Sequence, residues 1–171
     1  MELAQRQNDV RRFSVTGERM GSRLRYRVED FVFDGSLRDV CILDAKIEDW
    51  QRVFDSVESA GWEVSFSWTL LEVPVGRLPS AGEVFARLER EPEESASLAV
   101  QVGNVWFTSY FFEVDEIEFT FDPSDVVDLE TFAQLEKFIR RLGDSVGKRV
   151  VVTMEGSDHA AMPSLLEYVP V

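Results

Sequence analysis

The chain has 171 residues, 44% of them apolar and 13 of them phenylalanine, with 32 acids against 18 bases for a net charge of −14. That length fits one domain with a proper core, and the aromatic content excludes wholesale disorder. No run approaches the ~18–20 apolar residues of a membrane span, and the opening MELAQRQNDVRRF lacks the apolar segment of a secretory signal. A single cysteine, Cys41, cannot form an internal disulfide, so the expected location is a reducing cytoplasm.

Charge is unevenly distributed. Residues 1–27 carry seven Arg and three acids, whereas residues 28–171 carry 11 bases and 29 acids, a net of −18. A body this acidic repels nucleic-acid phosphates and anionic lipid and attracts cationic partners. Residues 1–22 lack periodicity and read as a basic, flexible arm, through which alone nucleic acid would be contacted.

From Leu24 to Phe33 the apolar alternation shifts by one position at Glu29-Asp30, the mark of a strand with a bulge. Asp34-Gly35 supplies a tight turn, and Leu37 to Leu43 reads as a second strand with Cys41 in an apolar run. Ile47, Trp50, Val53, Phe54 and Val57 form one helix face, closed by Gly61. Trp62 to Leu71 is a strand; Ser80 and Glu83 then make a capping box for a short helix with Val84, Phe85 and Leu88 inward. EPEESAS is a polar linker. Leu98–Val102, a Gly103-Asn104 turn, VWFTSYFF, a turn at Asp115-Glu116 and IEFTF make three successive strands. Asp128 caps a long helix with Phe132, Leu135, Phe138, Ile139 and Leu142 inward and Gly143 at its end. KRVVVTMEG and LLEYVPV close the chain as a buried strand and an edge strand. The order ββαβαβββαββ predicts one α+β domain over 23–171, a mostly antiparallel sheet with about three helices packed on it.

The chemistry turns on FFEVDEIEFTFDPSDVVD, residues 111–128, where seven carboxylates stand with no Lys or Arg. Asp122, Asp125 and Asp128 are spaced by three with no glycine after them, unlike a calcium loop, though they could hold Mg²⁺ weakly. Glu113, Asp115, Glu116 and Glu118 read as a solvated turn and the solvent side of a strand rather than an acid/base pair with separated pKa values. His159 is the sole histidine, so a Cys41–His159 dyad is the one nucleophilic arrangement available, and Cys41 reads as inert packing. One Cys and one His cannot fill the usual zinc site. No phosphate-binding, dinucleotide or metalloprotease motif is present. No cofactor, no metal and no enzymatic activity are therefore expected.

On VWFTSYFF both alternating sides are apolar, with Trp106, Tyr110 and Phe112 on one and Val105, Phe107 and Phe111 on the other. The strand is either buried on both faces or presents an aromatic patch rimmed by Glu and Asp, the make-up of a protein-binding surface.

The segments RYRVEDFVFDGSLRDVCILD with IEDWQRVFDSV, and EKFIRRLGDSVGKRVVVTMEG…LLEYVP, resemble the start and end of small bacterial immunity-type proteins over residues 25–170. The resemblance implies a cytoplasmic α+β protein that binds and neutralises a cognate toxin without a cofactor; it fixes no binding residues. The reading is thus a non-enzymatic, acidic protein-binding domain for a basic partner such as a toxin, with Glu113, Asp115, Glu116 and Glu118 for steering and Trp106 and Tyr110 as anchors. The alternative is a small-ligand-binding or weakly metal-dependent enzyme domain using Asp122, Asp125 and Asp128.

Overall fold

The helices begin where the sequence supplies caps. Ser80 Oγ accepts the Glu83 N–H at 3.2 Å while Glu83 Oε2 accepts the Ser80 N–H at 2.8 Å, opening α2 (Ala81–Arg90). Asp128 Oδ1 accepts the Thr131 N–H at 2.8 Å and opens α3 (Leu129–Val146). At α1 (Ile47–Ser59) the Asp49 carboxylate reaches back to the Lys46 N–H at 3.0 Å. The computed structural model describes residues 21–71, 75–159 and 161–171; most of the expected basic arm, residues 1–20, lies outside them.

Seven strands make one antiparallel sheet: β1 (Arg38–Ile42), β2 (Glu63–Trp68), β3 (Ala96–Val102), β4 (Val105–Ser109), β5 (Ile117–Phe121), β6 (Val150–Met154) and β7 (Leu166–Tyr168), in the spatial order β2-β3-β4-β5-β1-β6-β7. The fold is α+β, with the helices packed on the sheet. Strand periodicity sends Phe119, Val40, Val152 and Leu166, paired in that order across four strands, to the helix side. There Phe138 of α3 stacks on Phe107 at 3.8 Å between ring centroids and meets Phe119 edge-on at 5.3 Å. Each such ring removed from water contributes ~1.5–3 kcal/mol. The three predicted helix stripes are the inward faces, with Ile47 at the margin of the first and half exposed. No helix among the described residues is long and apolar enough to cross a membrane.

The expected first strand is absent. Arg23 makes one bridge to Glu167, and the chain then winds through a 3₁₀ turn, Val28–Phe31. The one-position shift in the apolar pattern is made by this turn and not by a bulge: Tyr26 and Phe31, on either side of it, stack at 5.7 Å and both meet Phe132. The buried Arg38 guanidinium donates to the carbonyls of Asp30 (3.0 Å) and Val32 (3.2 Å), acceptors that a neighbouring strand would otherwise have used. The order is therefore βαβαβββαββ.

Two further differences are local. Helix α3 runs through Gly143 to Val146 and ends at Gly147, whose φ of 71° suits a left-handed cap. Gly143 serves packing instead: a Cβ there would stand 2.7 Å from Tyr168 Cδ1. The Tyr168 ring is held by its hydroxyl, which donates to Asp144 at 2.6 Å. Within the polar linker, Glu94 is buried and ion-paired with Arg87 at 2.7 Å.

Gly143→Ala should therefore destabilise the protein by about 1–3 kcal/mol in urea unfolding, through overpacking. Gly82→Ala, on a helix face with nothing within 4 Å, should stabilise it by roughly 0.5–1 kcal/mol.

Candidate functional site

Register defines the sheet face opposite the helices. Ser65, Ala99, Thr108, Thr120, Asp39 and Thr153 are successive Cα partners across six strands and share that face. Glu118, Cys41, Val151 and Glu167 form a second row on it. Over β1 and β6 the segment 155–159 folds back across the sheet: the Gly156 N–H donates to Asp39 Oδ2 at 2.9 Å, and His159 Nε2 meets Glu116 Oε1 at 2.9 Å. Asp39, Glu116, Glu118, Ser157, Asp158 and His159 thereby line a pocket of about 570 Å³.

Elsewhere the fold pairs its buried acids with strong cations. Asp49 receives Lys148 at 2.8 Å and Arg52 at 3.1 Å, Glu94 receives Arg87, and Glu167 receives Arg149 at 2.7 Å. In the pocket, Glu116 meets the imidazole of His159, and no Lys or Arg ion pair is seen to Asp39, Glu116 or Glu118 among the described residues. Asp39 is 4% exposed, and its Oδ1 has no hydrogen-bond partner; neither does Thr153 Oγ1 beside it. Burial, then the charges of Asp39 and Glu116, push the Glu118 carboxyl up to about 7. Burial likewise raises the Asp39 carboxyl, with Glu155 and Glu116 adding to it against the Gly156 N–H.

These positions correct two expectations. Glu113 and Asp115 are exposed as predicted, but Glu116 and Glu118 are half-buried and converge with Asp39, so the negative charge does not all lie outward. Cys41 is buried on the acid-lined face, not among the core side chains. The structure does bring Cys41 and His159 together, with Glu116: their ligand atoms lie within 4.8 Å of one another. Burial, then Glu116 and Glu118, push the thiol up, which holds it protonated and opposes its use as a nucleophile. Reasoning from the Cys and His counts left out the carboxylate that completes this trio.

The aromatics are settled by the backbone. Phe111 takes φ 58°, turning its ring inward to meet Trp50 (5.1 Å), Phe54 (5.8 Å) and Phe66 (6.0 Å). Trp50 Nε1 donates to Val114 O at 2.9 Å and fixes the same loop. Left-handed backbone at a bulky residue costs ~1–2 kcal/mol, which the buried ring offsets. Trp106, Tyr110 and Phe112 stay outside at 39%, 47% and 75% exposure. The strand is thus not buried on both faces. Tyr110, Phe112, Glu113, Glu116 and Glu118 border one small hollow.

The alternative acids hold local backbone. Asp122 Oδ1 accepts from the N–H and hydroxyl of Ser124 at 2.8 and 2.6 Å, and Asp128 caps α3. Asp125 is half-buried, its carboxyl raised by burial and then by Asp122. Asp39 was not singled out from the sequence, and His159 was weighed only as a partner for Cys41; the available signal was the charged pair Arg38-Asp39 opening the strand RDVCI.

Comparison of the chain with protein-family models, curated proteins and solved structures finds no match.

A carboxyl raised on folding binds more protons folded than unfolded between the two pKa values. Stability should therefore fall as pH rises from about 4.5 through about 7. In chelator-containing buffer, urea unfolding at pH 5 and pH 8 should show that loss, and Glu118→Gln should remove part of it. Equal pH dependence in both proteins would contradict the electrostatic description.

Proposed function

We propose that this protein binds a basic protein partner on the helix-free face of its sheet and catalyses no reaction, in keeping with the immunity-type proteins its sequence resembles. The observation that carries this reading is an exposed aromatic cluster bordered by acids: Trp106 stands on that face by register, and Tyr110 and Phe112 follow in the loop at its edge, where Glu113, Glu116 and Glu118 share a hollow with them. Aromatic anchors within a charged rim concentrate binding energy, and uncompensated carboxylates speed encounter with a cation-rich surface. The net charge of −14 supplies the long-range field. Lys and Arg side chains of the partner would enter among the acids while their stems cover the aromatic rings. Absence of catalysis accords with a thiol held protonated and with Asp122 and Asp128 engaged in capping.

A nona-arginine peptide serves as a minimal basic probe. Amide NMR shifts on titration should cluster on β4, β5 and the 110–116 loop, and affinity should fall steeply with salt. Glu113→Lys with Asp115→Lys should slow association ~10-fold or more at low salt, whereas Trp106→Ala with Tyr110→Ala should mainly speed dissociation. Shifts gathered on the helix layer, or binding indifferent to both pairs of substitutions, would overturn the reading.

A further inference from the structure

The trio Cys41, Glu116 and His159 comes from three separate parts of the chain: strand β1, the residue just before β5 and the covering segment 155–159. Thiolate sulfur, imidazole nitrogen and carboxylate oxygen are the three ligand types that zinc-class ions take. A tetrahedral site with bonds of ~2.0–2.3 Å holds ligand atoms about 3–4 Å apart. The three atoms lie within 4.8 Å of one another, close to that spacing.

A second observation points to a ligand independently of that trio. Asp39 is 4% exposed, lines the same pocket, and has a carboxylate oxygen with no partner; Thr153 Oγ1, opposite it in register, is also buried without one. Buried polar atoms in native folds are nearly always satisfied, so two adjacent orphans beside a ligand trio mark a place for a bound species. The surplus of carboxylate over cation around them fixes its sign as positive.

We propose that one divalent transition-metal ion of the zinc class binds at the edge of this pocket, beside segment 155–159, through Cys41 Sγ, His159 and Glu116, the thiolate and the carboxylate matching its two charges, with Asp39 and Glu118 as neighbouring acids. The ion displaces the thiol proton, so Cys41 binds as a thiolate, and the neighbouring carboxylates gain a counter-charge. Three protein ligands leave a fourth position facing the pocket, open to water or Glu118. The site does not rest on the docking reading: the ion is held by Cys41, Glu116 and His159, whereas the aromatics stand on β4 and in the loop that follows it.

The test uses the full chain, reduced and stripped with chelator, titrated with Co²⁺ and then Zn²⁺. One Co²⁺ per chain should give a thiolate-to-cobalt charge-transfer band in the near ultraviolet, with proton release, and Zn²⁺ should displace it. Zn²⁺ should also raise the melting temperature in a concentration-dependent way. Cys41→Ser should abolish the band, and His159→Ala should weaken binding by more than the ~10–100-fold that loss of an outer-shell partner costs. Asp122→Asn, outside the pocket, should change nothing. If Cys41→Ser fails to fold, the His159→Ala titration decides. Absence of the band, or ion binding that survives His159→Ala unchanged, overturns the site and leaves the docking reading untouched.

Discussion

The constraint on which the molecule depends is a sheet covered by helices on one side. Because side chains alternate along each strand, every residue is committed either to the α1–α3 layer or to the opposite face. Phe107, Phe119, Val40 and Val152 go to the helix layer and make the core. Their neighbours Trp106, Thr108, Glu118, Asp39 and Cys41 must then meet solvent, the covering segment 155–159 or a ligand. Function is assigned to that second face because the first is full.

How the fold treats buried acids gives the pocket its meaning. Burying a carboxylate is costly unless it is paired and hydrogen-bonded, and Asp49, Glu94 and Glu167 meet that requirement with Lys or Arg within 2.7–2.8 Å. Asp39 receives one backbone N–H, and Glu116 receives an imidazole. The chain therefore has the means to neutralise buried negative charge and does not apply them here. A group of carboxylates left short of cations in a native fold is a functional signal with a stated physical cause. Docking of a basic partner and coordination of a metal ion are two ways to supply the missing positive charge, at neighbouring points on one face.

Much of the architecture was legible in the sequence, because caps, stripes and turns are local. Ser80-Glu83, Asp128, the five inward residues of α3 and the Gly103-Asn104 turn stand where the pattern put them. The errors came from interactions between distant residues. The strand expected over Leu24–Phe33 gave way to a 3₁₀ turn because Phe132 gathers Tyr26 and Phe31 and Arg38 takes two carbonyls, contacts that no local pattern encodes. Gly143 resembled a helix stop until Tyr168, 25 positions on, gave it a packing partner. The site was half visible. Of the acids singled out by composition, Glu116 and Glu118 line the pocket, and Asp39, Cys41 and His159 join them only through strand pairing and a returning loop. The local clue was Arg38-Asp39 at the head of RDVCI: both charges are buried, and Arg38 finds backbone acceptors whereas Asp39 keeps an oxygen without a partner.

The central claim is that the helix-free face is where this protein makes contact. Thr108 lies midway along its central row, and Cys41 is fully buried, so a cysteine placed at position 108 can be alkylated selectively with a bulky maleimide. Thr108→Cys, so labelled, should keep the unfolding midpoint of the unlabelled protein and no longer bind the nona-arginine peptide. Undiminished binding by the labelled, folded protein would contradict it.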